Sequence, residues 1–269
     1  MINTLKMKYF NIKKIAPFFL VLFLFSCASK KDIVYYQNAN SLEPQGELTS
    51  YEVKIQPDDL LSIIVSAEDP EVAIPFNLHT VNVARPNRPD IASGEETMQL
   101  YLVDTDGNIN FPILGKLHVG GLTRTQVLML FNSKLSVYIK NPIVNFRITN
   151  FKVSVQGEVT APGTYNVSSE RITLIEALSM ARDLTIYGKR DNILIIREVN
   201  GNKIYARVDI TRADFINSPY YYLAQNDVVY VEPNKNKING AAVGPNTGVL
   251  ISITSLIITL VTLIVTTAK

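Results

Sequence analysis

Apolar positions recur every second residue at Tyr51, Val53 and Ile55, then the Pro57-Asp58-Asp59 step turns the chain into the apolar run LLSIIV at 60–65. Alternation followed by a short apolar run predicts an edge segment, a turn and a buried strand. Residues 100–123, LYLVDTDGNINFPILGKLHVGGLT, carry strand-like runs on both sides of Asp106-Gly107-Asn108. Asp-Gly is a strong hairpin dipeptide, because tight turns need positive φ or tolerance of it. Pro112 belongs at the edge or end of a strand. A second strand over 116–119 runs into Gly120-Gly121, and Thr123 is a natural N-cap for an amphipathic helix over 125–135. Residues 139–148 read as another strand, with Pro142 near its start. Residues 66–99, rich in proline and asparagine and poor in periodic apolar positions, read as an extended insertion outside the core.

The same patterns predict a second module. Residues 151–159 alternate cleanly and 161–165 (APGTY) turn the chain, with Gly157 and Gly163 expected at positive-φ or close-approach positions. Thr173 and Glu176 form a capping box for a helix over 174–181. Strands follow at 191–199 and 205–210 around a Gly201 turn, and 223–231 closes the module. The fold class expected is α+β: two small β-rich modules, 51–150 and 151–233, then a linker over 234–248 and a C-terminal transmembrane helix over 249–268.

The helix expectation rests on charge as much as on hydropathy. Residues 241–268 contain no charged side chain, and 249–267 (VLISITSLIITLVTLIVTT) reach about 28 Å at 1.5 Å per residue, roughly one hydrocarbon core. Ser252, Ser255, Thr259, Thr262 and Thr266 are spaced 3, 4, 3 and 4 residues apart. At 100° per residue this polar stripe occupies an arc of about 80°. It reads either as a seam where identical helices meet or a wet lumen runs, or as hydroxyls bonded back to their own helix. The other end has a lysine-bearing start and an apolar run over 15–25, too short to span, which reads as a secretory signal over 1–26. Leu24-Phe25-Ser26 precedes Cys27, the one cysteine, in the pattern of a lipoprotein signal-peptidase site. A single thiol in an exported chain cannot close an internal disulfide, so Cys27 is expected to carry lipid and to begin a tether over 27–50.

Charge and chemistry exclude more than they nominate. The formal net charge is +2, but removing the four lysines ahead of Cys27 from 26 basic residues leaves 22 against 24 acidic ones, a net −2. Bulk electrostatics therefore do not suggest a nucleic-acid partner. His79 and His118 are isolated and lack a cysteine partner, so no metal site is expected, and Asp58-Asp59 reads as a turn pair. No pair of carboxylates is nominated for glycan cleavage, and no catalytic residue or cofactor is expected.

The motifs carry a resemblance. Asp106, Gly107, Ile109, Pro112, Leu114, Gly115, Gly121, Leu122 and Thr123 match the core pattern of the polysaccharide export protein family, whose Wza-type outer-membrane members export capsule and exopolysaccharide. Tyr51, Val53, Ile55, Pro57 and Asp59 match its opening motif, with Asp58 in place of a glycine. V-x-V-x-G-E-V-x-x-P-G-x-Y at 153–165 resembles a soluble-ligand-binding β-grasp (SLBB) domain. Asn226 and Arg182-Asp183 stand where that family has glycines. The resemblance implies a lipid-anchored outer-membrane protein with mainly periplasmic domains and one β-grasp module. It also implies a homo-oligomeric ring, an octamer among the candidate sizes, that conducts polysaccharide with an inner-membrane polysaccharide co-polymerase or tyrosine kinase as partner. The alternative is an envelope glycan-binding or scaffold lipoprotein without a pore.

Overall fold

A computed structural model describes residues 30–41, 51–81, 96–199, 201–242 and 247–267. The first module is built on β1 (Leu60–Ser66), whose residues Leu61, Ile63 and Val65 point inward. After it come the short helix α1 (Pro70–Ala73), β2 (His79–Val81), β3 (Glu96–Met98) and β4 (Leu100–Leu102). Next are β5 (Asn108–Phe111), β6 (Gly115–His118), α2 (Arg124–Leu135) and β7 (Ile143–Ile148). β1 lies between β4 and β7, antiparallel to both. Val127, Phe131 and Leu135, four residues apart along α2, bury one narrow stripe. Phe131 meets Phe111 edge to face at 4.9 Å, and Phe111 in turn meets Tyr101 at 5.0 Å. The Thr123 cap forms as expected, and Gln126 completes a capping box with it.

Two expectations for this module are corrected. The Asp106-Gly107 turn exists, with Gly107 at φ +79°, but it does not join a hairpin. β4 pairs with β1, whereas β5 pairs with β6 across Pro112-Ile113-Leu114, with Ile113 taking positive φ. The stretch expected to be an insertion outside the core also contributes to it. Ala73 and Phe76 are buried, and the Asn77 amide bonds the Val65 backbone on both sides, N–H to Oδ1 at 2.9 Å and Nδ2 to O at 2.7 Å. A polar side chain thereby continues the β1 ladder, which periodicity cannot register. Residues 82–95 lie outside the described residues.

The second module comprises β8 (Lys152–Gly157), β9 (Gly163–Asn166), β10 (Ile172–Thr173), α3 (Leu174–Met180), β11 (Gly188–Val199), β12 (Asn202–Val208), β13 (Tyr222–Leu223) and β14 (Val228–Pro233). Its five-stranded sheet has the order β12-β11-β14-β8-β9, with β14 and β8 parallel at the centre and hairpins on either side. Buried Leu174, Ala177 and Leu178 seat α3, which begins at the expected Thr173–Glu176 capping box. Gly157 is a true close approach: at φ +90°, a Cβ there would lie 2.1 Å from Val231 O. Gly163 is not, since its nearest neighbour would be 3.8 Å away. Asp58, Arg182, Asp183 and Asn226, the four non-glycine replacements in the motifs, all take positive φ.

Residues 30–41, within the stretch expected to be a tether, pack on the second module. Tyr36 stacks on Phe215 at 5.6 Å, and Gln37 N–H donates to Thr211 O at 2.8 Å. Asn38 accepts from Ala213 N–H at 2.6 Å and donates to Asp214 at 2.9 Å. The expected linker likewise begins as a helix, α4 (Lys235–Ala242), with Lys237 over the Tyr187 ring at 5.3 Å and 3.6 Å from Glu158. A final helix, α5 (Thr247–Thr267), has no charged residue.

Candidate functional site

Three features bear on function: the ends of the chain, the joint between the modules and a cleft beside that joint. Cys27 lies outside the described residues. Asp32 and Ile33 at the front, and Asn234, Lys235 and Asn236 at the back, line one hollow of about 470 Å³ on the second module. Described residues from the front and the back of the chain therefore meet at one edge of the second module.

On α5, eleven Val, Leu and Ile side chains from Val249 to Ile264 are each 50–67% exposed, so nothing among the described residues covers them. Among the described residues, no helix is long and apolar enough to cross a membrane. The transmembrane helix expected over 249–268 is thus present only as a charge-free helix, with Ala268 outside the described residues. Its stripe hydroxyls bond back to their own helix. Ser252 donates to Gly248 O at 2.9 Å, Ser255 to Ser252 O at 2.8 Å and Thr259 to Ser255 O at 2.8 Å. Thr262 donates to Ile258 O at 2.7 Å and Thr266 to Thr262 O at 2.9 Å. No hydroxyl in the stripe needs an outside acceptor.

The joint is a polar knot. Asn150 accepts from Leu60 N–H at 2.9 Å and donates to Asp58 O at 2.9 Å. Gln225 of the second module accepts from Lys152 N–H at 2.8 Å and donates to Asn150 O at 2.9 Å. Beneath it Asp59 is fully buried, with Oδ2 accepting from Gln56 N–H at 2.8 Å and Oδ1 meeting no donor at hydrogen-bonding geometry. Burial pushes its carboxyl up to about 6, and the Gln56 N–H and the Gln225 amide oppose this only in part. Asp59 is therefore not a simple member of a turn pair.

The cleft, about 650 Å³, lies between β7 with the α2 N-terminus on one side and 167–171 on the other. Arg124 reaches across it to Glu170 at 3.1 Å. Glu52 takes Thr125 Oγ1 at 2.6 Å and the Thr125 N–H at 3.3 Å, and the Thr125 hydroxyl bond holds its carboxyl below the usual range. Tyr51 stacks on Tyr222 at 4.8 Å, and Arg171 lies over the same Tyr222 ring at 5.1 Å. Arg147 and Arg171 also line the cleft, and neither has a carboxylate partner among the described residues. Sequence reasoning did not single out this group. Its members come from separate elements of two modules, and no spacing links them. Among the described residues, no His/Cys/Asp/Glu cluster could hold a metal ion.

Comparison with known proteins bears on the first module. Residues 47–149 match the family model described as polysaccharide biosynthesis/export protein, covering the first module through β7. The chain is 28% identical over 203 residues to the EPS I polysaccharide export outer membrane protein EpsA of Ralstonia solanacearum, covering 72% of this chain and 52% of that protein. It is also 28% identical over 221 residues to the protein of the same name from Ralstonia nicotianae, covering 79% and 56% respectively. The chain spans about half the length of these curated relatives. Residues 47–149, which make up the first module, are thus the part of the chain that is similar to the polysaccharide biosynthesis/export protein family.

Proposed function

We propose that this protein is an outer-membrane lipoprotein that exports capsule or exopolysaccharide, with copies assembling into a ring-shaped conduit. It is an export protein, not an enzyme. The names of its relatives supply the outer membrane and the polysaccharide. The observation that carries the membrane part is α5: 21 residues without a charge, with its large apolar side chains from Val249 to Ile264 exposed. Exposed apolar surface of that extent needs lipid or further copies to cover it. The meeting of residues 32–33 with 234–236 is in keeping with two anchors on one side, acyl chains on Cys27 and inserted α5, with both modules hanging into the periplasm. In the second module, β14 set parallel to β8 between the β11–β12 and β8–β9 hairpins, with one helix packed against the sheet, supports the β-grasp reading of 151–233. An inner-membrane co-polymerase or kinase would supply the energy, and passage through the ring would be passive.

One observation favours a second reading, a glycan-binding or scaffold lipoprotein without a pore. The α5 hydroxyls are satisfied within their own helix, so the stripe does not demand a wet lumen. Deleting 246–269 separates the two readings. Under the conduit reading it abolishes polymer export and the oligomeric mass seen by native mass measurement in detergent. Retained export with weakened membrane association would overturn it.

A further inference from the structure

We propose that the cleft between the modules binds a short carboxylate-bearing stretch of saccharide, an inference that rests on the export reading and names the class of polymer it serves. The argument begins with charge. Of the three guanidiniums in the cleft, Arg124 is engaged by Glu170, and the Glu52 carboxylate is engaged by Thr125. Arg147 and Arg171 remain without an anionic partner among the described residues, on opposite walls. Planar guanidiniums pair with carboxylates through two parallel hydrogen bonds and lose less hydration in doing so than ammonium groups, so they suit recognition of a carboxylate.

Size and lining narrow the ligand further. A volume of about 650 Å³ falls in the range of sites for drug-sized ligands, far more than an inorganic anion fills. The lining mixes apolar surface from Ile148 and Val167 with the Ser168 hydroxyl. Sugar rings present that combination, with C–H faces and hydroxyl edges. The cleft also bridges both modules, so its occupant touches them together.

The test titrates the full-length chain in detergent by calorimetry with tri-galacturonate, and in separate arms with maltotriose and inorganic phosphate. Tri-galacturonate should bind at least about tenfold more tightly than maltotriose, a difference of about 1.4 kcal/mol. R147Q and R171Q should each weaken it about five- to tenfold, and R147K should weaken it less than R147Q because it keeps the charge and loses the fork. Unchanged thermal melts establish that these variants fold. Equal affinity for maltotriose, equal affinity for phosphate, no binding, or indifference to R147Q and R171Q would each overturn the proposal. Failure of the export reading shows separately, in the 246–269 deletion, which leaves the cleft residues in place.

Discussion

Gly107 and Gly120 are packed backbone against backbone: a Cβ on Gly120 would lie 2.7 Å from Gly107 Cα. Gly107 O also accepts the N–H groups of Val119 and Gly120, both at 2.8 Å. This contact pins the Asp-Gly turn to the end of β6 and leaves β4 free to pair with β1. Gly120→Ala should therefore destabilise the first module by about 1–3 kcal/mol through overpacking. Gly107→Ala should cost more, because it adds a side chain at φ +79°. Urea unfolding followed by circular dichroism reads both, and a midpoint unchanged in Gly120→Ala would refute the contact.

Asp59 gives the joint a pH dependence of definite sign. Its folded carboxyl is raised to about 6, above the usual carboxylate value, so the folded state holds a proton that the unfolded state has released. Stability should be fullest below about pH 4 and fall as pH rises through 6, by on the order of 1–3 kcal/mol for this group. Asp59→Asn should flatten that slope. A wild-type melting profile with no component removed by this substitution would refute the assignment.

Arg197 and Asp227 form the buried ion pair of the second module, with Nη2–Oδ2 at 2.6 Å and Nε–Oδ1 at 3.0 Å, the aspartate having no exposed surface. Burial pushes the Asp227 carboxyl up against the opposing pull of Arg197. Arg197→Met, which strands the charge, should cost about 3–5 kcal/mol, while Arg197→Met with Asp227→Leu should recover much of it. Chemical denaturation of the single and double variants measures both. Equal loss in both would mean that the pair contributes through its hydrogen bonds to Ala224 and Tyr222 instead.

The docked segment 30–41 should be detachable without unfolding its host. Asn38→Ala removes the contacts to Ala213 N–H and Asp214 together. The Gln37 amide, bonded to Thr211 O at 2.8 Å, should then exchange hydrogen at least about tenfold faster, while β11 amides stay protected. Exchange at an unchanged rate would mean that the Tyr36–Phe215 stack alone holds the segment.

Much of the molecule could be read from short-range pattern, because the signals were local. Thr173 and Glu176 are three residues apart, so their reciprocal cap needs nothing beyond the helix they start. Asp58 and Asn226 tolerate positive φ through their own short polar side chains, and the turns they replace keep their shape. The charge-free tail needs only its own composition to form a helix with apolar sides.

What the chain could not announce depends on partners distant in sequence. Leu100–Leu102 suits either β5 or β1, and alternation alone cannot choose between two ladders with the same period. Phe76 lies in a proline-rich stretch with no periodicity, and Asn77 earns it a place in the core only by capping the β1 ladder. The cleft is the extreme case, because Arg147 and Arg171 come to one wall and its opposite only when the joint at Asn150 and Gln225 closes. Sequence by itself settled caps, turns, the alternating strands and the uncharged tail, all set by neighbours within about four residues. Tertiary structure alone decided which strands pair, which polar groups are buried and where unpaired charge collects, because those depend on desolvation and packing between segments that meet only in the folded chain.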